Sequence, residues 1–591
     1  MRQLLVILLL TLSMSGRAVT YYIRAGASGA GSGTSYENAW PGFGKVVWGP
    51  AGVHEGDTLY VCGTHEYGRD FAYLKNTVGA GGEDGAPITI RGDYPGNPGA
   101  IVGARRIPVA AFTLGANGVY SAPFGFSAAY AWQGDPTQTP KLLRGVSSVA
   151  EVAAREGCFW RDPVAKVFYV KPYGGAMSDI YSNWVGALYL NGKSNVTIKN
   201  LRLFGGAGND GVVRLTKGHG DARNITIDGC EIAFGYYAGI YAGGGNTANI
   251  AVRNTRLHHV MTGTYTLGIV AADQPHLSHD GWMFDGVEVY ANEEVDLIFD
   301  NRDRHALGGQ NIRNLLIQNC YVHDWPGEGV IDYVTAAGKM DNVTIRYNRF
   351  HNLNDATNSN WHYGVAKHGS SSAQYEENTK NWHIYNNIFT ELGGDKTINL
   401  GVGAAIRIKG GAALDGNQTL VANNVFYHCN YGLFISATTL GNVGATVKNN
   451  ISLSPLSGGA HVWVYNFGGA STLDIDNNLY YPDGLWTWKS AGQLDFAAWK
   501  TQASADAHSV LADPRFDNAS ATLSQPNDFK PRPISPAIDA GADVGLANDY
   551  FGNPIPQGTH PDIGIYERLT PKIILIDADG ITTFTVSLKG K

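Results

Sequence analysis

A short pattern of apolar and polar positions recurs from about residue 190 to residue 480. Each copy has an apolar-x-apolar pair, a corner of Asn or Gly, and a second apolar-x-apolar pair. Alternation with a period of two is typical of β-strands, and Asn and Gly tolerate the left-handed backbone that a tight corner needs. The ten copies span residues 196–203, 225–232, 250–257, 282–289, 315–322, 343–350, 382–389, 420–427, 445–452 and 473–480.

A third short apolar strand follows most of these copies. Three strands per coil, repeated many times, predict an all-β chain folded as a right-handed parallel β-helix, a solenoid of three-strand coils. Asn side chains at the stacked corners are then expected to form a ladder from coil to coil. A propeller or a sandwich would instead show hairpin turns, and few Asn-Gly or Asp-Gly turns occur in register. The third strands span residues 239–241, 268–270, 295–298, 329–331, 364–366, 405–408 and 432–435.

The two ends of the chain differ from the repeat. Residues 1–18 combine a positive Arg2, a short apolar run and small residues at Gly16 and Ala18, which is typical of a signal peptide and predicts a secreted or periplasmic protein. We assign residues 19–500 to the β-helix and residues 501–591 to a closing region with a small appendage. Longer loops near residues 352–363 and 392–403 are expected to serve binding.

Composition narrows the range of functions. Charged residues make up only 16% of the chain and the net charge is −7, which argues against a nucleic-acid partner. The five cysteines are odd in number and widely spaced, so no disulfide framework is predicted. No stretch after the leader reaches the length of a membrane span. We therefore expect a monomeric protein without a membrane span.

Segments outside the repeat indicate a family. The opening from Tyr21 to Trp40 resembles the start of secreted β-helix proteins, and two later segments, 56–61 and 86–92, look like first coils of polysaccharide lyases. The closing segments, 535–541 and 562–567, are similar to the end of many bacterial β-helix proteins. The chain thus resembles the pectate-lyase-like superfamily, whose fold hosts lyases, hydrolases, epimerases and adhesins alike.

Ionisable residues concentrate on the third strands of the coils from about residue 295 to 410. Aligning these strands predicts one outward column of Asp300, Asp332, Lys367 and Arg407 or Lys409. Outward residues in one column of successive coils stand about 4.8 Å apart. Apolar neighbours on the same strands are expected to face the core, namely Leu297, Ile331 and Ile406.

An order of acids followed by bases suits β-elimination. A lyase removes the proton beside a uronate carboxylate, which a cation must first neutralise. The layout resembles that of Ca²⁺-dependent lyases, in which acidic ligands precede a Lys and an Arg. The resemblance implies Ca²⁺ held by Asp300, Glu328 and Asp332, with oxygen ligands of the kind that Ca²⁺ prefers.

The remaining roles follow from the same resemblance. Lys367 is expected to be the base, with His368 as the second choice, and Arg407 to hold the carboxylate by a bidentate contact. Substrate contacts are expected from Lys409, Arg304 and Trp361, the last of which lies in an inserted loop suited to sugar stacking. The predicted partner is therefore a polysaccharide or oligosaccharide substrate.

Two other functions stay open at this stage. Asp300 paired with Asp332 or Glu328 could form the acid/base pair of a glycoside hydrolase. A carbohydrate-binding or adhesin-like solenoid would need no ionisable cluster at all, because its long loops would serve recognition alone.

Overall fold

The computed structural model describes most of the chain. Residues 1–17, nearly all of the predicted signal peptide, lie outside the described residues. The described ranges are 18–66, 77–128, 130–206, 211–216, 218, 220–266, 277–291, 305–333, 340–353, 362–367, 379–393, 403–410, 418–437, 442–456, 458–465, 471–489, 491–518, 523–569, 572–577 and 580–585, without the side chains of 332, 333, 418, 437 and 572–585.

Parallel strands stack into three long faces, so the predicted right-handed parallel β-helix is confirmed. Most of the predicted repeats align position by position: Val196 pairs with Ile225, Ile225 pairs with Ile250, and Ala445 pairs with Leu473 in the last coil. The copy predicted to start at Leu420 is displaced by one residue, because Trp382 pairs with Thr419. Each coil therefore adds one strand to each face, as the repeat predicts.

The strands of the three faces have the following bounds. The first sheet comprises Thr20–Arg24, Thr58–Cys62, Ile88–Arg91, Val196–Lys199, Ala222–Asp228, Thr247–Arg253, His279–Asp285, Ile312–Arg313, Leu315–Gln318, Val343–Arg346, Trp382–Tyr385, Gln418–Ala422, Gly444–Lys448 and Thr472–Asp476. The second sheet comprises Thr64–Glu66, Ala100–Val102, Arg202–Gly206, Glu231–Gly235, Arg256–His258, Glu288–Tyr290, Tyr321–His323, Arg349–Leu353, Ile388–Leu392, Val425–Tyr427, Ile451–Leu453, Leu479–Tyr481 and Val510–Leu511. The third face comprises two successive sheets, first Leu188–Tyr189, Gly211–Thr216, Ala238–Ala242 and Thr262–Thr266, then His305–Gln310, Glu328–Tyr333, His362–Lys367, Gly403–Gly410, Tyr431–Ala437, Ala460–Tyr465, Trp486–Trp488 and Gln493–Leu494.

The interior of the solenoid is one continuous apolar core. The large rings of Trp282, Trp382 and Trp486 are completely buried in it. All five cysteines are free and buried, and burial raises the pKa of Cys230 and Cys320 to about 12. These thiols stay protonated at physiological pH and act as small apolar side chains.

A buried Asn ladder runs along the corner between the first and second faces, as predicted. The backbone N–H and the side-chain Nδ2 of Asn387 both donate to Oδ1 of Asn424, each at 3.0 Å. Asn424 makes the same two bonds to Asn450. The ladder also includes Asn348 and ends at Asn478, whose Nδ2 donates to Asp506 Oδ1 at 3.4 Å. Each rung therefore fixes the register of its coil against the next.

A mostly antiparallel eight-stranded β-sandwich, with one parallel pair of strands, interrupts the solenoid after its first coils, a feature that the sequence analysis did not predict. One of its faces, with Trp132 and Leu142, packs onto the solenoid core, and its other layer encloses Phe159 and Phe168. Trp132 stacks on Phe234 of the second face at 4.8 Å between ring centroids. The eight strands are Ala104–Ile107, Thr113–Leu114, Tyr120–Pro123, Ala131–Gln133, Lys141–Gly145, Cys158–Asp162, Val167–Lys171 and Ile180–Asn183.

The closing region covers the last coils of the second face. Phe516, Phe529 and Ile563 pack there against outward Ile388 and Ile451. The described chain ends in a hairpin of Lys572–Asp577 and Gly580–Thr585. The helices of the described residues are the α-helices Val149–Ala154 and Phe496–Ala503 and the 3-10 helices Phe43–Lys45, Val109–Ala111, Ala116–Gly118, Tyr173–Gly175 and Pro526–Phe529. Among the described residues, no helix has the length and apolar character needed to cross a bilayer.

The ladder predicts a specific loss of stability. Asn387→Ala removes the acceptor of two buried Asn348 donors. Because an unsatisfied buried donor costs about 1–3 kcal/mol, we expect the free energy of unfolding to fall by roughly 2–4 kcal/mol. Asn246→Ala is the matched control, because its side chain bonds Asp221 at an exposed edge. Thermal melting followed by circular dichroism compares the two variants. Equal midpoints would contradict a structural role for the ladder.

Candidate functional site

The register of the third face decides which side chains point outward. Gly364 and Val365 both point inward, because a Cβ on Gly364 would lie 2.5 Å from the buried Phe389 ring and Val365 belongs to the core. Two successive inward residues shift the alternation by one position. Tyr363 and Ala366 therefore face outward, where they join a separate cluster that we call the outer aromatic cluster: Tyr363, Ala366, Ala404, Tyr431, Phe434 and Trp463.

This shift corrects the predicted position of Lys367. The backbone register pairs Lys367 with Ile408, a core residue, and pairs Ala366 with Arg407. Lys367 is 1% exposed, and its Nζ donates to Oγ1 of buried Thr419 on the first sheet at 3.0 Å. Its side chain thus lies inside the solenoid, and the prediction of one outward column holding both Lys367 and Arg407 is wrong.

The same register corrects one further assignment. Ile331, expected in the core, pairs with Ala366 and so shares the outward column of Arg407. The backbone of Asp332 pairs with that of Lys367, and the Asp332 side chain lies outside the described part of the chain. Ile406 is in the core as predicted, while the predicted Leu297 lies outside the described residues.

Arg407, Tyr363 and Glu328 come together on the outer surface. The guanidinium carbon of Arg407 lies 5.2 Å from the Tyr363 ring centroid and 5.7 Å from that of Phe434. Val330 pairs with Val365, which places Glu328 one coil below Tyr363 in the same outward column. Tyr363 is 0% exposed and Glu328 is 5% exposed, whereas Arg407 is only partly buried. An acid, a phenol and a guanidinium therefore meet within two coils.

The environment of Tyr363 sets its acidity. Burial raises the pKa of the Tyr363 hydroxyl, and the charge of Glu328 raises it further. The charge of Arg407 and a hydrogen bond from it act in the opposite direction. Tyr363 is therefore a protonated phenol at neutral pH, with a guanidinium beside it that would stabilise the phenolate.

Aromatic rings continue the site toward the C-terminal coils. Arg407 pairs in register with Phe434, and Phe434 pairs with Trp463, whose ring centroids lie 4.6 Å apart. Lys409, also facing outward, pairs with Ser436, which in turn pairs with Tyr465. The Tyr465 side chain is 50% exposed. A polar centre with an apolar flank therefore extends over three coils.

Rings also line the third face toward the N-terminal coils. The Arg214 guanidinium carbon lies 3.9 Å from the Tyr189 ring centroid. Tyr241 stacks on Tyr265, and Tyr265 stacks on His305 at 5.8 Å between centroids. His305 pairs in register with Glu328. The outer surface of the third face thus carries a nearly continuous row of aromatic and ionisable side chains.

Several predicted site residues cannot be placed. Asp300, Arg304, Trp361 and His368 lie outside the described residues. Of the predicted groups, Glu328, Arg407 and Lys409 lie on the outer surface, and Lys367 does not. The sequence analysis assigned no role to Tyr363. The Gly364–Val365 pair, which breaks the simple alternation, is the signal that would have placed its side chain outward.

Two of the three residues predicted to bind Ca²⁺, Glu328 and Asp332, lie apart on one strand, and the third, Asp300, lies outside the described residues. Glu328 lies in the outward column with Tyr363, whereas Asp332 lies four residues further along, in register with core residues. Four residues of strand span about 13 Å, and Ca²⁺ needs its oxygens at about 2.3–2.6 Å. Among the described residues, no group of three or more His, Cys, Asp or Glu side chains is arranged to hold a metal ion. We derive no step through Ca²⁺.

Comparison with known proteins supports the architecture. No family model and no curated protein matches the sequence. The structure of XylC with xylose covers 96% of this chain and 100% of its own, with a TM-score of 0.52 and 11% identity. A glycoside hydrolase covers 83% and 99% with a TM-score of 0.41 and 10% identity. An alginate lyase from Paenibacillus sp. covers 51% and 93% with a TM-score of 0.33 and 15% identity.

These similarities concern the fold. At 11% identity, the match to XylC shows a common architecture and leaves the reaction open. The resemblance to pectate-lyase-like β-helix proteins is thereby confirmed as a resemblance of fold.

A pair of variants tests the corrected register. Lys367→Met keeps most of the side-chain volume but removes a buried hydrogen bond to Thr419. We expect a lower melting temperature and an unchanged affinity for polysaccharide, measured by affinity electrophoresis. Lys409→Met, on the outer surface, should weaken binding and leave the melting temperature nearly unchanged. If Lys367→Met lost affinity for polysaccharide without any change in melting temperature, the result would contradict the inward position of Lys367.

Proposed function

We propose that this protein cleaves an acidic polysaccharide by β-elimination on the outer surface of its third face. The observation that carries the proposal is the contact between Arg407 and Tyr363, with the guanidinium carbon 5.2 Å from the ring centroid. β-Elimination at a uronate needs a cation for the carboxylate and a group that moves a proton. Arg407 and Tyr363 supply these two functions on neighbouring coils.

Arg407 would bind the uronate carboxylate. A guanidinium presents parallel N–H donors that match the two oxygens of a carboxylate. Neutralising that charge makes the proton on the adjacent carbon more acidic and stabilises the negative charge that develops as this proton leaves. Lys409, two residues along the same strand, adds positive charge beside it.

Tyr363 would move the proton. Its phenolate, stabilised by Arg407, takes the proton from the carbon beside the carboxylate. The electron pair left behind forms a carbon–carbon double bond, and the glycosidic C–O bond breaks at the neighbouring carbon. The leaving oxygen then takes the proton back from the Tyr363 phenol. One side chain thus serves as base and acid, and the step needs no external oxidant or reductant.

Glu328 supports a second candidate, a glycoside hydrolase. Its carboxylate is 5% exposed and shares an outward column with Tyr363. A buried carboxyl group can act as the general acid of a hydrolase when a second carboxylate lies nearby. XylC, which shares the fold, was solved with xylose bound, in keeping with a carbohydrate ligand for either reaction.

Two conservative variants separate these candidates. Tyr363→Phe should lower kcat of an elimination by about 10²–10⁴-fold, the usual contribution of a general acid–base group. Turnover is followed by the ultraviolet absorbance of the unsaturated product and by reducing ends. Tyr481→Phe, at a 42% exposed position on the second face, is the control and should be unchanged. If the protein forms reducing ends without the ultraviolet absorbance, and if Glu328→Gln abolishes this activity while Tyr363→Phe retains it, the protein is a hydrolase and not a lyase.

The acidity of Tyr363 predicts the pH dependence. Since burial raises its pKa above the ordinary value, the phenolate is scarce at neutral pH and grows with rising pH. We expect kcat/KM to rise about tenfold per pH unit from pH ~7 to ~9, in proportion to the phenolate fraction. A profile that falls across this alkaline range would contradict Tyr363 as the base.

A further inference from the structure

We propose that the substrate is a polysaccharide whose uronate residues are separated by uncharged sugars, rather than a polymer of uronate alone. This inference rests on the proposed function and names its substrate class. It follows from the distribution of charge on the described third-face strands from Glu328–Tyr333 to Ala460–Tyr465, where the outward cations Arg407 and Lys409 lie on one strand.

The column of Arg407 has one charged position among its described members. Proceeding along the solenoid, it contains Ile331, Ala366, Arg407, Phe434, Trp463 and Thr487. Coils are about 4.8 Å apart, so the members next to Arg407 lie about one sugar unit away on either side. A carboxylate bound at Arg407 therefore has apolar surface above and below it.

The column of Lys409 shows a similar distribution of charge. Lys409 lies on the strand of Arg407, about 7 Å further along it, so the two cations serve one level of the groove. The next two positions beyond Lys409 are Ser436 and Tyr465, which are uncharged. On the described strands of the third face from Glu328–Tyr333 to Ala460–Tyr465, an extended chain bound along the solenoid axis would thus meet an outward cation only where it crosses the strand of Arg407.

On the other side of the cations, the described residues include one buried carboxylate, that of Glu328. Glu328 lies in the column of Tyr363, one coil below it and two coils below the strand of Arg407. A second uronate placed there would meet a carboxylate of like charge in a partly desolvated groove, where repulsion is stronger than in bulk water. A uronate homopolymer cannot avoid such placements, whereas a chain with uncharged spacers can.

The aromatic flank supplies what uncharged sugars need. The C–H face of a pyranose is apolar and packs on rings, and the two coils above Arg407 carry Phe434, Trp463 and half-exposed Tyr465. The ring centroids of Trp463 and Tyr465 lie 5.8 Å apart in an edge-to-face arrangement. This surface favours neutral sugar units directly beyond the cationic level.

The test compares polymers of matched size and different charge spacing. Hyaluronan and unsulfated chondroitin alternate uronate with uncharged sugar, whereas polygalacturonate and polymannuronate carry a carboxylate on every unit. We measure dissociation constants of the full chain by affinity electrophoresis at one ionic strength, together with cleavage. Alternating polymers should bind at least tenfold more tightly, which corresponds to about 1.4 kcal/mol. Equal or tighter binding of the homopolymers, or no binding of any polymer, would overturn the proposal.

A charge variant makes the test specific. Trp463→Lys adds a cation two coils from Arg407 and should improve binding of the homopolymers while weakening that of the alternating polymers. Tyr481→Lys adds the same charge on the second face and should change neither. Selective binding of alternating polymers without cleavage would support the substrate class and reject the proposed reaction. Cleavage of homopolymers alone would support the reaction and reject the substrate class.

Discussion

The buried Asn ladder is the constraint on which the rest of the molecule depends. Parallel coils have backbone hydrogen bonds in every register, so those bonds alone do not stop one coil from slipping against the next. Two hydrogen bonds are donated to the Asn of the following coil, at a buried corner, by each of Asn387, Asn424 and Asn450. A slip by one residue would orphan these donors and turn every side chain on the strand to the opposite face.

Fixed register is what allows separate coils to build one site. Arg407, Tyr363 and Glu328 come from three different strands and lie close together because the register holds these strands in line.

The other two faces of the solenoid make different contacts. The second face is covered at its ends by the sandwich and the closing region, and in between its imidazoles contact carboxylates, with His258 3.2 Å from Glu231 and His323 3.3 Å from Glu288. The first face carries surface ion pairs such as that of Arg313 with Asp280.

The sequence was sufficient for the solenoid because its local signals and its global fold agree. Apolar alternation and left-handed Asn or Gly corners recur along the solenoid, and a third strand follows most copies, so an error at one position does not spread. It was insufficient for the site because the outward direction depends on a single break in alternation. The inward direction at Gly364 is visible only from its contact with Phe389, which lies where a Cβ would be. That contact joins residues of two different strands. The sandwich was missed for a similar reason, since its strands interrupt the repeat without resembling it.

The central claim is that polysaccharide binds to the outer surface of the third face at Arg407. The most direct measurement is a crystal structure of Tyr363→Phe, the slow variant, soaked with an oligosaccharide that contains one uronate. The account predicts sugar density along the third face, with the uronate carboxylate within hydrogen-bonding distance of the Arg407 guanidinium and the next unit against Phe434 and Trp463. Density on the first or second face, with Arg407 free of contact, would contradict it.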